Sequence, residues 1–215
     1  MSNKNQIREK FLKTRSFLSK SYKEEVNKII ERKVNHYIDR YNLEKYAIYL
    51  STENEPNTLN IIETSLKKGI EVYVPLIIED NKMEFKKITN LETDLEQNKV
   101  LNILQPKSTC PTLEKGNYIN TMFIPLVAFD KQLNRVGMGK GFYDRWLNEN
   151  DYIGYKIGLS ASTQLSNESI DADEFDVKLD NVITEKEIYV PFVEEEQEFD
   201  YDVTYSVFND ETIVG

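Results

Sequence analysis

Met122-Phe-Ile-Pro-Leu-Val-Ala-Phe129, followed by Asp130-Lys-Gln-Leu-Asn134 and Arg135-Val-Gly-Met-Gly-Lys-Gly-Phe-Tyr-Asp-Arg145, is the stretch from which the fold is read. Its first part is a continuous apolar run over 122–129, the pattern of a strand buried on both faces. The run breaks into a loop that holds three of the chain's eight glycines, Gly137, Gly139 and Gly141, at alternate positions. A short helix over 142–148 follows, with Tyr143, Trp146 and Leu147 at helical spacing. Strand, glycine loop and helix present backbone N–H groups to an anion. Glycine lets the main chain come close, and the helix N-terminus adds partial positive charge.

The loop differs from the common phosphate motifs. Its glycines alternate and no Ser or Thr follows Lys140, so it is not a P-loop; the third glycine comes one residue early for a dinucleotide fingerprint. Arg135 and Lys140 place cations inside it, and Tyr143-Asp144-Arg145 occupies the first helical turn. A carboxylate beside bound phosphate needs a cation between the two negative charges, ordinarily Mg²⁺. A tight strand-to-helix turn with a solvated rim is the bland alternative, and the flanking charges weigh against it.

Outward from this stretch the periodicities define an α/β chain. Residues 4–19 carry Lys4, Arg8, Lys10, Lys13 and Arg15 with a partial apolar stripe of Ile7, Phe11, Leu12 and Leu18, an amphipathic helix. Ser21-Tyr-Lys-Glu24 reads as the capping box of a second helix, whose buried face is Val26, Ile29, Ile30, Val34, Tyr37, Ile38 and Tyr41. His36 falls off that face, at the surface. A strand over 46–51, a helix from Thr58 to Gly69 and a strand over 72–78 make a βαβ unit, hence parallel strands and a right-handed crossover. Ligands in such sheets sit beyond the carboxyl ends of the strands, where the loop holding Glu55 lies. A strand over 83–88 follows. Residues 90–118 read as loop with short pieces, some of it walling a substrate pocket. A strand over 152–159 follows the glycine-loop helix.

Composition bounds the function. The 215 residues suffice for one domain with a sizeable core, and a net charge of −10 argues against a nucleic-acid binder. Residues 192–215 hold eight acidic and no basic residues, so the remainder is near neutral and has room for an anion pocket. We expect a single domain over 1–191 and an acidic extension over 192–215, either an edge strand, from its alternating Tyr201, Val203, Tyr205 and Val207, or a disordered tail. One cysteine, Cys110, and one histidine exclude an internal disulfide and make a zinc site or a Cys–His pair improbable. No long apolar run or signal pattern is present, and the expectation is a cytoplasmic protein that engages no membrane.

The run Phe129-Asp130, Arg135-Val-Gly-Met-Gly-Lys-Gly-Phe-Tyr-Asp-Arg145 resembles the signature of the 5-formyltetrahydrofolate cyclo-ligases, also called methenyltetrahydrofolate synthetases. Lys4-Asn-Gln-Ile-Arg8, Glu55-Pro-Asn-Thr58, and Asp176 with Asp180 and Val182-Ile-Thr-Glu185 match further family patterns, so the likeness covers about 4–188. It implies a three-layer, Rossmann-like, mostly parallel sheet flanked by helices (NagB/RpiA/CoA-transferase-like). It also implies ATP- and Mg²⁺-dependent cyclisation of 5-formyltetrahydrofolate to 5,10-methenyltetrahydrofolate, through a phosphorylated formyl group.

By resemblance, Lys4 and Arg8 clamp ATP. Arg135, Lys140 and the backbone of Gly137, Met138, Gly139, Gly141 and Phe142 hold phosphate and substrate, and Tyr143 and Glu55 orient the folate. Asp144 and Asp176 are the implied metal carboxylates, while Lys140, Arg135 and Tyr143 are the implied catalytic side chains. Phe175 and Phe142 depart from the histidine and tyrosine common in bacterial members. The expected partner is a folate, polyglutamylated or not, and the expected state a monomer. A folate or nucleotide sensor without turnover, or another ATP-dependent ligase, is the competing reading.

Overall fold

The computed structural model describes residues 3–78, 82–99, 102–114 and 118–191; the acidic extension lies outside them. Chain order is α1 (Lys4–Ser16), α2 (Lys20–Arg40), β1 (Lys45–Ile48), α3 (Leu59–Lys67), β2 (Glu71–Ile77), β3 (Met83–Ile88), β4 (Leu95–Asn98), β5 (Ile103–Pro106), β6 (Thr121–Pro125), β7 (Ala128–Phe129), β8 (Arg135–Val136), α4 (Phe142–Glu149), β9 (Tyr155–Leu159), a 3-10 turn (Ser162–Gln164), β10 (Asn181–Ile183) and β11 (Ile188–Tyr189).

Seven strands form one sheet in the order β11-β10-β9-β6-β1-β2-β3. Pairing from β10 through to β2 is parallel, and the edge strands β3 and β11 are antiparallel. This is the expected α/β architecture, with the expected βαβ crossover from β1 through α3 to β2. Period-two alternation sorts side chains between the two faces. Tyr46, Ile48 and Phe123 pack with Ile30, Val34 and Ile62 of α2 and α3, while Ala47, Met122 and Ile124 pack with Leu147 of α4, Phe129 and Leu133.

Three local expectations are corrected. The apolar run over 122–129 is two strands, because Val127 N donates to Val136 O at 2.7 Å and starts a separate hairpin, β7–β8. Asp130 shapes that hairpin. Its buried carboxylate accepts from Gln132 N (2.9 Å), Asn134 N (2.9 Å), Asn134 Nδ2 (3.0 Å) and Ile170 N (2.8 Å). The second helix is capped by Ser19, whose Oγ accepts from Tyr22 N, two residues before the predicted capping box. Within 90–118, β4 and β5 make an antiparallel hairpin that the weak apolar pattern concealed.

Candidate active site

A cavity of about 540 Å³ opens at the carboxyl ends of β1, β2 and β6, where an open α/β sheet places its ligands. Four segments far apart in sequence supply its charged residues: α1, the loop after β1, the glycine loop with the start of α4, and the loop before β10. All thirteen residues singled out from the sequence are on its wall: Lys4, Arg8, Glu55, Arg135, Gly137, Met138, Gly139, Lys140, Gly141, Phe142, Tyr143, Asp144 and Asp176. Its apolar lining includes Leu50, Pro75, Ile77, Met83, Ile103 and Leu104. Ile103 and Leu104 are the β5 contribution of a region whose sequence gave no specific signal.

The glycine loop owes its shape to two of its three glycines. Gly139 and Gly141 have φ of +88° and +64°, where a side chain is strained; Gly137 does not. A Cβ on Gly139 would lie 3.3 Å from Arg8 Cζ. Arg8 Nε donates to Gly137 O at 2.7 Å, so α1 braces the loop from behind. Gly141 caps α4 without a side-chain hydrogen bond, and Lys140 is exposed and makes no hydrogen bond or ion pair among the described residues.

The other charges are engaged. Arg135, with a side chain only 5% exposed, donates through Nη2 to Asp144 Oδ1 at 2.8 Å and through Nη1 to Val177 O. Val177 N donates to the same Asp144 oxygen at 3.1 Å. Lys4 Nζ bridges Asp173 Oδ2 (2.6 Å) and Asp176 Oδ2, and Asp173 N donates to that Asp176 oxygen at 2.6 Å. Burial pulls the Lys4 ammonium down, but the two carboxylates outweigh it and hold its pKa above the ordinary value. Asp144 Oδ2 and Asp176 Oδ1 accept no hydrogen bond among the described residues.

At the other end, Glu55 Oε2 accepts from Thr52 N and Thr52 Oγ1, both at 2.8 Å. Its Oε1 has no such partner among the described residues. Tyr143 Oη is buried without a hydrogen bond among the described residues, and its ring meets Phe85 edge-on. Burial, then the charge of Glu55, pushes the Tyr143 phenol far above its ordinary pKa. It is therefore a neutral donor waiting for an acceptor.

Two groups escaped the sequence reading. Asp173 shares the ammonium of Lys4 with Asp176, and nothing in its acidic surroundings singled it out. Arg15 is buried one turn after Phe11, with Nη2 4.0 Å from Met138 Sδ. The signal was its spacing from Ile7 and Phe11, which puts it on the buried face despite its charge.

The residues fit a divalent cation shared with a bound ligand. Two carboxylates each keep an uncommitted oxygen, while no group of three His, Cys, Asp or Glu side chains able to hold a metal exists among the described residues. Phosphate and water would complete such a shell, as Mg²⁺ prefers.

The chain matches the model of the 5-formyltetrahydrofolate cyclo-ligase family over residues 1–185. It belongs to that family. It is an enzyme of the cyclo-ligase kind, similar to the 5-formyltetrahydrofolate cyclo-ligase of Haemophilus influenzae (29% identical, 83% of this chain and 95% of the relative). It is also similar to that of Mus musculus (30% identical, 73% and 81%). Among solved structures, a 5,10-methenyltetrahydrofolate synthetase from Mycoplasma pneumoniae superposes with a TM-score of 0.68 at 28% identity, covering 85% of this chain and 99% of that one. The NMR structure of the Aquifex aeolicus 5,10-methenyltetrahydrofolate synthetase shares the fold, with a TM-score of 0.76 at 24% identity over 93% and 98% of the two chains. No helix among the described residues is long and apolar enough to cross a membrane.

Proposed function

We propose that this cyclo-ligase joins the two nitrogens of 5-formyltetrahydrofolate through its formyl carbon, consuming ATP and giving 5,10-methenyltetrahydrofolate, ADP and phosphate. The observation that supports this most is the convergence of all thirteen sequence-singled residues on one cavity, which combines cations, a glycine loop and an apolar lining. Formyl oxygen is a poor leaving group. In the proposed sequence it attacks the γ-phosphorus and displaces ADP. The N10 lone pair then closes on the formyl carbon, the N10 proton departs, and the C–O bond breaks to release phosphate.

Catalysis of this kind is positioning and charge neutralisation, with no nucleophilic side chain. Lys140 and the backbone N–H groups of the glycine loop receive the γ-phosphate. Arg8 and Lys4 approach from α1, while Arg135 fixes Asp144 and the loop. Glu55 accepts the paired N–H groups of the pterin ring through its open Oε1, and Tyr143 donates to an oxygen of the substrate. Bound Mg²⁺ would be held by Asp144 and Asp176 together with phosphate oxygens, supplying neutralisation of the triphosphate charge.

The test is a continuous ultraviolet assay for the methenyl product with ATP and Mg²⁺. Wild-type protein forms it, and Lys140→Ala and Asp144→Ala reduce it by roughly a hundredfold or more. Wild-type rates in both variants would refute the assignment of the phosphate end.

A further inference from the structure

Asp173 lines the same cavity as the residues singled out from the sequence, and its side chain is bound to one of them. Lys4 Nζ lies 2.6 Å from Asp173 Oδ2 and also donates to Asp176 Oδ2; the Lys4 side chain is 13% exposed and that of Asp173 65% exposed. Fastening α1 to this segment does not require the Asp173 carboxylate. Asn3 N donates to Asp171 Oδ2 (3.0 Å), Asp171 N donates to Asn3 Oδ1 (3.1 Å), Asn3 Nδ2 donates to Ser169 O (2.8 Å), and Lys10 pairs with Glu168 at 3.0 Å. Nor does the Asp173 side chain set the orientation of Asp176. Asp173 N donates to Asp176 Oδ2 at 2.6 Å and Asp173 O accepts from Asp176 N at 3.1 Å, so the main chain of a tight turn does that. What the Asp173 carboxylate adds is a second acceptor for a largely buried ammonium on the cavity wall.

We propose that Asp173 is a positioning residue that keeps the Lys4 ammonium beside the phosphates when ATP and its metal claim the Asp176 carboxylate. This rests on the reading of Lys4 as a phosphate clamp and of Asp176 as a metal carboxylate. A divalent cation taken by Asp176 repels an ammonium held on the same carboxylate, and the low exposure of both side chains strengthens that repulsion. With Asp173 alongside, the ammonium gives up one partner, keeps the other and stays at the wall. Without Asp173, the metal must displace an ion pair that has no second carboxylate to fall back on. The Asp173 charge also repels the triphosphate directly. That effect is the weaker one, because Asp173 is mostly exposed and water and salt screen its reach, whereas its contact with Lys4 is direct.

The test measures dissociation constants of ATP with Mg²⁺ and of 5-formyltetrahydrofolate separately, by calorimetry on the full chain, together with melting temperatures. Asp173→Asn keeps the size and the main-chain bonds but drops the charge. It should weaken ATP binding roughly 3- to 10-fold, between the effect of an exposed ion pair and that of a residue that orients a ligand. Folate affinity should stay within about twofold and the melting temperature should hold, since α1 keeps its other fastenings. In the Lys4→Met background, Asp173→Asn should change ATP affinity by less than about twofold, the mark of a residue that acts only through the ammonium. Wild-type or tighter ATP binding in Asp173→Asn, a matching loss of folate affinity, a lowered melting temperature, or an undiminished effect in the Lys4→Met background would overturn the assignment while leaving Lys4 and Asp176 in place. Wild-type ATP affinity in Lys4→Met alone would instead remove the phosphate-clamp reading, and the Asp173 proposal with it.

Discussion

Two charged side chains in the same loop and helix play different parts. Lys140 makes no hydrogen bond or ion pair among the described residues and is exposed, so Lys140→Ala should leave the melting curve within about 0.5 kcal/mol of wild type while activity falls. Asp144 anchors a guanidinium that is 5% exposed and a backbone N–H of the neighbouring loop. Asp144→Ala strands Arg135, and a loss of about 2–4 kcal/mol in urea denaturation is expected alongside lost activity. Comparing the two variants by both measurements separates a residue needed only for turnover from one that also holds the wall.

Among the elements, the glycine loop and its brace make the sharpest prediction. Gly139→Ala places a side chain at φ +88° and against Arg8, so about 1–2 kcal/mol of stability should be lost, with weaker ATP binding measured by calorimetry. Elements with a strong period were legible from the chain: α2, the βαβ unit, β3 and α4 fall within a few residues of their predicted ranges. Those whose fate depends on distant partners were not. The apolar run over 122–129 gave no hint that Val127 would turn away to meet Val136, because both halves are equally buried. β4 and β5 bury little, so their pattern is faint. Glu55, Asp144 and Asp176 were legible as site residues only through their motifs; no local rule says that acidic side chains from two loops and a helix share a cavity. Arg15 was hidden by its type, since a cation at the end of a basic helix is ordinarily solvated.

The whole molecule has a pH window set by hydrogen-bonded carboxylates on one side and buried phenols on the other. Burial pushes Glu185 up, yet hydrogen bonds from Ser162 and Tyr22 outweigh it and hold its pKa below the ordinary value. A hydrogen bond from Lys87 lowers Glu71, and one from Thr89 N lowers Asp94. For a depressed carboxylate the unfolded chain binds protons first, so this stability is full above the usual carboxylate range near about 4 and drains as pH falls through the lowered values. Tyr37 is raised to about 12 by burial, and Tyr46, Tyr49, Tyr143 and Tyr152 are raised as well. Their contribution is complete below the free phenol value of about 10 and is lost as pH climbs through the raised ones. Melting temperatures scanned across pH should therefore show a plateau with an acid shoulder and an alkaline shoulder. A curve that keeps rising past pH 11 would contradict it.

The bridge from Lys4 to Asp173 and Asp176 spans 169 and 172 positions of sequence. Contacts between such remote positions carry a large loop-closure cost. On the ribosome, α1 emerges before the strands and must wait for nearly the entire globular part before its ammonium meets a carboxylate. A nascent chain halted before Asp173 would thus carry a largely built sheet with its charged corner still open, and no turnover should begin until synthesis has passed that point.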